Sequence, residues 1–315
     1  MVKRRLYYIS FGVFLLLVLA AGAGGLLLPK GRAFYHLALA QKLLKEGNTN
    51  GAIEQTKRAV EIQPDNIVAV RGLARAYIAA GKHDEAEKVI QKLIALSPNL
   101  AEAYHDLGMV RFRRGDTKGA LEAVRKSISL SPELPDNYFL LGAVSLQNKD
   151  IPAAEEYLSK ALKMTPQNPN ALYLLGMVHF EKKDYDAAID TLKNMTQLAP
   201  DFAPAHALLA MCYFEKKLYI HSLSELNAAV DLDKSDYNSM YNIACIYSLQ
   251  KKPTPALKWL ERAIDNGFSD SVHMSKDSDL DNIRAEPKFG ELAENAAWQA
   301  SLNKEPAKEQ AQGGR

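Results

Sequence analysis

The chain has 315 residues, which is enough for one or two globular domains or for one extended array. Apolar residues make up 47% of it and charged residues 24%, a composition too apolar for a disordered protein. The formal net charge is only +2 at pH 7, so no overall field attracts nucleic acid, and no nucleic-acid partner is expected.

The first 32 residues predict a membrane segment. Three basic residues at positions 3–5 precede an uncharged stretch over residues 6–28. At ~1.5 Å per residue, a helix of that length spans a hydrocarbon layer of ~30 Å. A cleaved signal peptide is the alternative, with small residues at positions 21–23 as the cleavage site. The apolar run resumes at residues 26–28, which favours a retained anchor.

The orientation of this anchor follows from the distribution of basic residues. If the basic N-terminus stays in the cytoplasm, the chain is a single-pass protein of the inner membrane, and the rest of it lies on the extracytoplasmic, periplasmic side. Lys30, Arg32, Lys42 and Lys45 on the other side of the span weaken that assignment.

A frame of 34 residues begins at Ala33 and recurs without insertion through seven copies, to Asp270. Frame position 8 is small in every copy, frame position 20 is small as well, and frame position 32 is proline in the first five copies. The clearest members are Gly108, Gly142 and Gly176 at position 8, Ala120, Ala154 and Ala188 at position 20, and Pro64, Pro98, Pro132, Pro166 and Pro200 at position 32.

These columns predict a pair of helices in each copy. Positions 4, 7, 8 and 11 share one face of a first helix, and positions 20, 24 and 27 share one face of a second helix. Small residues at positions 8 and 20 allow the two helices to approach closely where they cross. Proline at position 32 cannot continue a helix and therefore marks the turn into the next copy.

The pattern resembles the tetratricopeptide repeat. The third copy reads "YHDLG" and the fourth "YFLLG" from position 4 to position 8, and both carry the later alanine and proline. The resemblance implies an all-α fold: a right-handed superhelical solenoid of seven hairpins over residues 33–270, preceded by one transmembrane helix.

Residues 271–302 resemble the closing segment of bacterial proteins of this class. Leu280, Ile283 and Phe289 are expected to cover the last hairpin, together with a capping helix from about Pro287 to Leu302. Residues 303–315 are polar and aperiodic, which is typical of a disordered tail.

No catalytic motif is present in the sequence. It contains no GxxxxGK[ST], HExxH or GxSxG pattern, and the 45 residues after Asp270 are too few for a further domain. Cys212 and Cys245 are too far apart for a CxxC pair and are expected to be buried free thiols. No enzyme activity, small-molecule substrate, cofactor or metal is therefore expected, although an unrecognised hydrolase or transferase site is the remaining alternative.

The resemblance implies a concave groove formed by first-helix positions, among them positions 5 and 9. Arginines occupy positions 5 and 9 in the second copy, and mainly aromatic and methionine residues occupy them in later copies. Aromatic and methionine residues suit an apolar helix or extended segment of a partner. The predicted partner-binding residues are Arg71, Arg75, His105, Met109, Phe139, Tyr173, Met177, Met211 and Tyr241. The sequence does not decide whether frame position 12 faces the groove or packs in the core. No asparagine occupies position 9, which disfavours the clamp that some family members use for carboxylate-ended chaperone tails.

The sequence therefore predicts a membrane-tethered, non-catalytic scaffold that binds a protein or peptide segment in its groove. Such a scaffold would help an envelope complex to assemble or to persist. The alternative is a cytosol-facing receptor that recruits client proteins or a protease to the membrane.

Overall fold

The computed structural model describes residues 28–302, and over this range all regular structure is helical. The predicted all-helical architecture is confirmed. The predicted membrane span over residues 6–28 and the tail over residues 303–315 lie outside the described residues, apart from Leu28. None of the helices within the described range has the length and apolarity needed to cross a bilayer.

The chain divides into two compact units at Asn148 and Lys149, in the turn between the two helices of the fourth repeat. The N-terminal unit contains α1 Pro29–Lys45, α2 Thr49–Ile62, α3 Ile67–Ala79, α4 His83–Leu96, α5 Ala101–Arg113, α6 Thr117–Leu130 and α7 Pro135–Gln147. The C-terminal unit contains α8 Ile151–Met164, α9 Pro169–Glu181, α10 Tyr185–Leu198, α11 Ala203–Glu215, α12 Tyr219–Leu232, α13 Tyr237–Leu249, α14 Pro253–Asp265, α15 Ser271–Lys276, a 3₁₀ turn Ser278–Leu280 and α16 Pro287–Leu302.

Short polar residues begin many of these helices. The carboxylate of Asp116 accepts a hydrogen bond from the backbone N–H of Gly119, and Asp150 and Asp184 do the same in their own repeats. Such N-caps satisfy backbone donors that have no partner inside the helix. The five prolines of frame position 32 lie in the turns that follow the second helices. In α2, α6, α8 and α10, a polar N-cap marks the start of the second helix and a proline follows its end.

Small residues lie where the two helices of a hairpin cross. All seven residues at frame position 20 are fully buried. A Cβ atom added to Gly108 would lie 2.6 Å from Cγ2 of Val124, and one added to Gly176 would lie 2.6 Å from Cδ2 of Leu192. Real Cβ atoms do not approach carbon so closely, so these helix pairs depend on the missing side chain.

A left-handed residue ends the first helix of every repeat. In repeats one to three it is Gly47, Gly81 or Gly115, at φ of +70 to +82°. In repeats four to seven the same frame position is lysine with φ of +56 to +60°, at Lys149, Lys183, Lys217 and Lys251. Glycine adopts this conformation without steric cost, whereas any other residue brings its Cβ close to the backbone, which raises the energy of the folded state. The two units therefore make one turn geometry with different residues.

The residues after the seventh repeat close the core of the C-terminal unit. Leu280 and Ile283 are fully buried and Phe289 is 5% exposed, as predicted for a closing segment. They share a core with Leu260 and Ile264 of α14. α16 spans Pro287–Leu302, which matches the helix that the sequence predicted.

Candidate functional site

The first-helix face is the side of each hairpin's first helix that carries frame positions 5 and 9. In the N-terminal unit this face carries Arg71, Arg75, His105, Met109 and Phe139. Arg75 is exposed, and the other four are half-buried. In the C-terminal unit it carries Tyr173, Met177, Met211 and Tyr241.

The arginines of the N-terminal unit have internal counter-charges. Arg71 places Nη1 3.5 Å from Oε1 of Glu102 and Nε 4.0 Å from Oδ2 of Asp106. Arg75 places its Nε 4.0 Å from the same Asp106 oxygen. Burial raises the pKa of Asp106, while His105 and the two arginines oppose that rise. The sequence predicted a basic stretch here, but Glu102 and Asp106 offset much of its charge.

His105 is held by a polar chain inside the N-terminal unit. Its Nδ1 lies 3.1 Å from Oδ1 of Asn137, which is fully buried. Asn137 donates from Nδ2 to Oγ of Ser127 at 2.9 Å, and Ser127 donates to the backbone carbonyl of Ala101 at 2.7 Å. Because the buried side chains of Asn137 and Ser127 are themselves hydrogen-bonded, they hold the imidazole in one orientation.

The early part of the C-terminal unit packs its aromatic residues against one another. Tyr173 meets the ring of Phe202 edge-on at 5.2 Å between centroids, and burial raises the pKa of its hydroxyl. At frame position 12, Phe180 and Phe214 pack against Tyr185 and Tyr219 at 5.7 and 5.8 Å. These two position-12 rings are therefore held largely by their own hairpins.

A cavity of about 820 Å³ lies within the C-terminal unit. Helices α11, α12 and α13 form one side of it, and residues 267–279 form the other. Met211 and Tyr241, from the first-helix face of repeats six and seven, both line it. The structure thus brings two of the sequence-predicted binding residues to one concave site.

Tyr241 lies deeper than the sequence indicated. A residue of an open groove should be solvent-accessible, but Tyr241 is only 6% exposed. Phe268 stacks on its ring at 4.5 Å between centroids, and its hydroxyl donates to Oδ2 of Asp277 at 2.7 Å. The segment after the seventh repeat therefore covers one side of this tyrosine. Burial and the Asp277 carboxylate together raise the pKa of Tyr241.

The cavity is acidic. Glu215, Asp270, Asp277 and Asp279 line it, and within the part of the chain that the structure describes no lysine or arginine does so. Burial raises the pKa of Asp279, and the carboxylates of Asp277, Glu215 and Asp281 raise it further. The sequence pattern gave no sign of these carboxylates, and two of them, Asp277 and Asp279, follow the repeats, where the 34-residue frame no longer applies.

Cys245 also lines the cavity and lies close to two of these carboxylates. The Cys245 thiol lies 3.7 Å from Oδ2 of Asp277 and is 3% exposed. The possible ligand atoms of Cys245, Asp277 and Asp279 lie within 4.8 Å of one another, a grouping that the sequence did not predict. Burial raises the pKa of Cys245, and it raises that of Cys212 to about 12, so both buried thiols stay protonated. Both are free cysteines, as predicted.

Comparison with known proteins identifies the repeat family. A family model described as the cilia and flagella-associated protein 70 C-terminal domain matches residues 20–242. The chain belongs to this family of tetratricopeptide-repeat domains. A second model, described simply as the tetratricopeptide repeat, matches residues 237–266 of the seventh repeat. No curated protein sequence matches the chain.

Solved structures share the tetratricopeptide fold. A chain of the APC/C hetero-tetramer Cut9–Hcn1 superposes with a TM-score of 0.63 at 23% identity, over 82% of this chain and 48% of that one. The present chain therefore spans about half the length of that relative. The PilF protein of Pseudomonas aeruginosa gives a TM-score of 0.58 at 20% identity, over 65% of this chain and 94% of its own.

A third similar structure is YrrB, described as a tetratricopeptide protein with an unusual peptide-binding site. It superposes with a TM-score of 0.51 at 22% identity, over 56% of this chain and 92% of its own. At these identities the three similarities establish the tetratricopeptide fold alone, and any functional assignment depends on the residues of this chain.

Proposed function

We propose that this protein is a membrane-tethered, non-catalytic scaffold that binds a segment of a partner protein on its first-helix face. In this proposal it helps an envelope complex to assemble or to persist. The observation that supports it most is the cavity of the C-terminal unit, where Met211 and Tyr241 of two successive repeats meet at one concave site. Concave, mostly apolar sites with a few polar groups are where proteins bind extended segments.

The chemistry of the site supports binding rather than catalysis. The Cys245 thiol is a poor nucleophile because burial raises its pKa. The nearest histidine, His273, is 57% exposed at its side chain and lies 3.7 Å from Asp277. The close partner of its Nε2 is therefore a carboxylate rather than the Cys245 thiol.

Photo-crosslinking in cells tests the binding surface. A photoreactive phenylalanine analogue replaces Met211, which is 41% exposed, in the full chain. The control carries the analogue at Ile220, which is 81% exposed on second helix α12. We expect a discrete adduct from position 211 that is missing from position 220. Identical adduct patterns, or no adduct from position 211, would contradict the proposal.

The membrane side is a separate part of the proposal. It depends on the basic residues at positions 3–5 and the uncharged stretch over residues 6–28. A reporter that is active only outside the cytoplasm, fused after Arg315, should be active. An inactive reporter, with a cytoplasmic reporter active at the same position, would favour the alternative of a cytosol-facing receptor.

A further inference from the structure

No lysine or arginine among the described residues lines the cavity of the C-terminal unit, although Arg284 donates to the backbone carbonyl of Asp277 at 2.6 Å and pairs with Asp281 at 2.9 Å. Of the cavity's four carboxylates, Asp270 caps α15 by accepting from the backbone N–H of His273 at 2.9 Å, and Asp277 accepts from the Tyr241 hydroxyl. Glu215 accepts from the Tyr185 hydroxyl at 3.3 Å. These donors are neutral, so they orient the carboxylates without cancelling their charge.

Asp279 has the least favourable surroundings of the four. Its half-buried side chain has Asp277, Glu215 and Asp281 as its charged neighbours, and all three are carboxylates that disfavour its ionised form. The histidine on the cavity wall, His273, lies closest to Asp277 instead. A cation placed here would relieve repulsion that the folded chain otherwise has to bear.

Aromatic rings line the cavity beside the carboxylates. Phe268 stacks on Tyr241 with an interplanar angle of 19°, and Tyr237 meets Phe268 edge-on at 6.4 Å. Phe214 of α11 also lines the cavity. Ring faces attract cations, and they stack well with a planar cation in particular.

We propose that this cavity binds the guanidinium group of an arginine in the partner segment, with Asp279 and Glu215 as its acidic contacts and the aromatic wall as its stacking surface. This inference rests on the proposed function, because it names the chemistry of the segment that the scaffold binds. Arginine suits the site better than lysine because its planar group can pair with carboxylates and stack at the same time. A cavity of about 820 Å³ also has room for a long side chain and its neighbours, far more than a single metal ion needs.

Three short fluorescein-labelled peptides test the proposal on the full chain in detergent with a chelator present. They have the same sequence and differ only at a central residue flanked by leucines, which is arginine, lysine or citrulline. Citrulline keeps the shape of arginine without its charge. We expect fluorescence anisotropy to show the arginine peptide binding at least about tenfold tighter than the citrulline peptide, with lysine between them. Added salt should reduce this preference.

Matched variants assign the preference to the cavity. The double variant Asp279→Asn, Glu215→Gln should bring the arginine and citrulline peptides to within about twofold of each other. Asp231→Asn is the control, because Asp231 is 77% exposed, pairs with Lys234 at 2.7 Å and does not line the cavity. Thermal melts of each variant show whether it is folded.

Several outcomes would overturn the arginine proposal. They are equal affinity for the arginine and citrulline peptides, a preference that survives the double variant, and failure of the arginine peptide to bind the wild type. Zinc binding that depends on Cys245 and Asp279, with no arginine preference, would make the cavity a metal site instead. A photo-adduct at position 211 that persists in the double variant would overturn only the arginine proposal. The absence of any adduct from position 211 in the otherwise wild-type chain would contradict the proposed function.

Discussion

Buried Asp106 in the N-terminal unit lies within 4.0 Å of two arginines of its own chain, whereas Asp277 and Asp279 in the C-terminal unit line a cavity without arginine or lysine. Asp106 and the pair of C-terminal carboxylates both lie beside first helices, and the repeats that contain these helices share the same 34-residue frame. In the first case the chain supplies its own counter-ions, which offset part of the cost of burying the carboxylate. In the second the charge is left for an external cation, at some cost to stability. The comparison indicates that a shared repeat architecture does not imply a shared role for its concave surface.

The strongest test of this comparison removes the internal counter-ion of the N-terminal unit. Arg71→Met keeps the apolar stem but leaves Asp106 with only Arg75 and His105 as opposing charges. Removing one partner of a buried ion pair is costly, so we expect a loss of about 2–4 kcal/mol in the free energy of unfolding at neutral pH. Urea denaturation followed by circular dichroism measures it. Adding Asp106→Asn should recover part of the loss, and a strictly additive double variant would show that the two groups do not interact.

The same variant makes a prediction about pH. Burial raises the pKa of Asp106 in the folded protein, so the folded state holds its proton above the ordinary value of 3.8 and stability falls as pH rises through that range. Loss of Arg71 removes an opposing charge and should raise this pKa further. The destabilisation by Arg71→Met should therefore be large near neutral pH and shrink as the pH approaches about 4. A pH-independent loss would point to packing rather than charge.

The next largest effect is expected at Tyr241 in the C-terminal unit. Tyr241→Phe removes the hydroxyl that donates to Asp277 and leaves that carboxylate without its short hydrogen bond. Hydrogen bonds to charged groups contribute about 1.5–3 kcal/mol, and we expect a loss in that range. Tyr237→Phe, at a ring that is 37% exposed, is the control and should change stability by less than about 0.5 kcal/mol. Equal effects of the two changes would show that Asp277 does not depend on Tyr241.

The left-handed turns provide a smaller test of the difference between the units. Lys183→Gly should relieve a steric cost that Gly47, Gly81 and Gly115 never incur, and we expect a gain of about 0.5–1 kcal/mol. Lys182→Gly is the control one residue earlier, where φ is −74° and glycine has no conformational advantage. That change should destabilise the protein, because it also removes the 2.8 Å contact of Lys182 with Glu155. Thermal melts of both variants would show whether the sign of the effect follows φ.

The smallest effect is expected from Asp279→Asn in the absence of a partner. Since burial and neighbouring carboxylates raise the pKa of Asp279, its ionisation opposes folding as pH rises above 3.8. The amide removes that penalty, and after solvent screening we expect a gain below about 1 kcal/mol at neutral pH. The gain should vanish near pH 3, where the wild-type carboxyl is protonated in both states. A loss of stability at neutral pH would show that Asp279 already has a favourable partner.

Much of the fold could be predicted because the period of the sequence maps onto local geometry. Proline at frame position 32 marks a turn, and small residues at positions 8 and 20 mark a helix crossing. Each follows from the residue type and its spacing alone. The free and buried cysteines were predicted on similar grounds.

The candidate site was less predictable, because its decisive contacts join positions that the repeat frame does not relate. Phe268 at the end of the seventh repeat and Asp277 beyond it both contact Tyr241, and these contacts turn a predicted open groove into a walled cavity. Asp106 lies at frame position 6, outside the positions that were assigned to the groove, yet it sets the charge around Arg71 and Arg75. Long-range contacts of this kind leave no periodic signal in a single sequence.

The four left-handed lysines of the C-terminal unit have a practical consequence for mapping a partner. Lys149, Lys183, Lys217 and Lys251 are all exposed and recur at one position per repeat. An amine-reactive reagent followed by mass spectrometry would therefore report on one equivalent turn in each of repeats four to seven. Protection of one lysine relative to the others would show which repeat a bound protein shields, with the chain serving as its own internal standard.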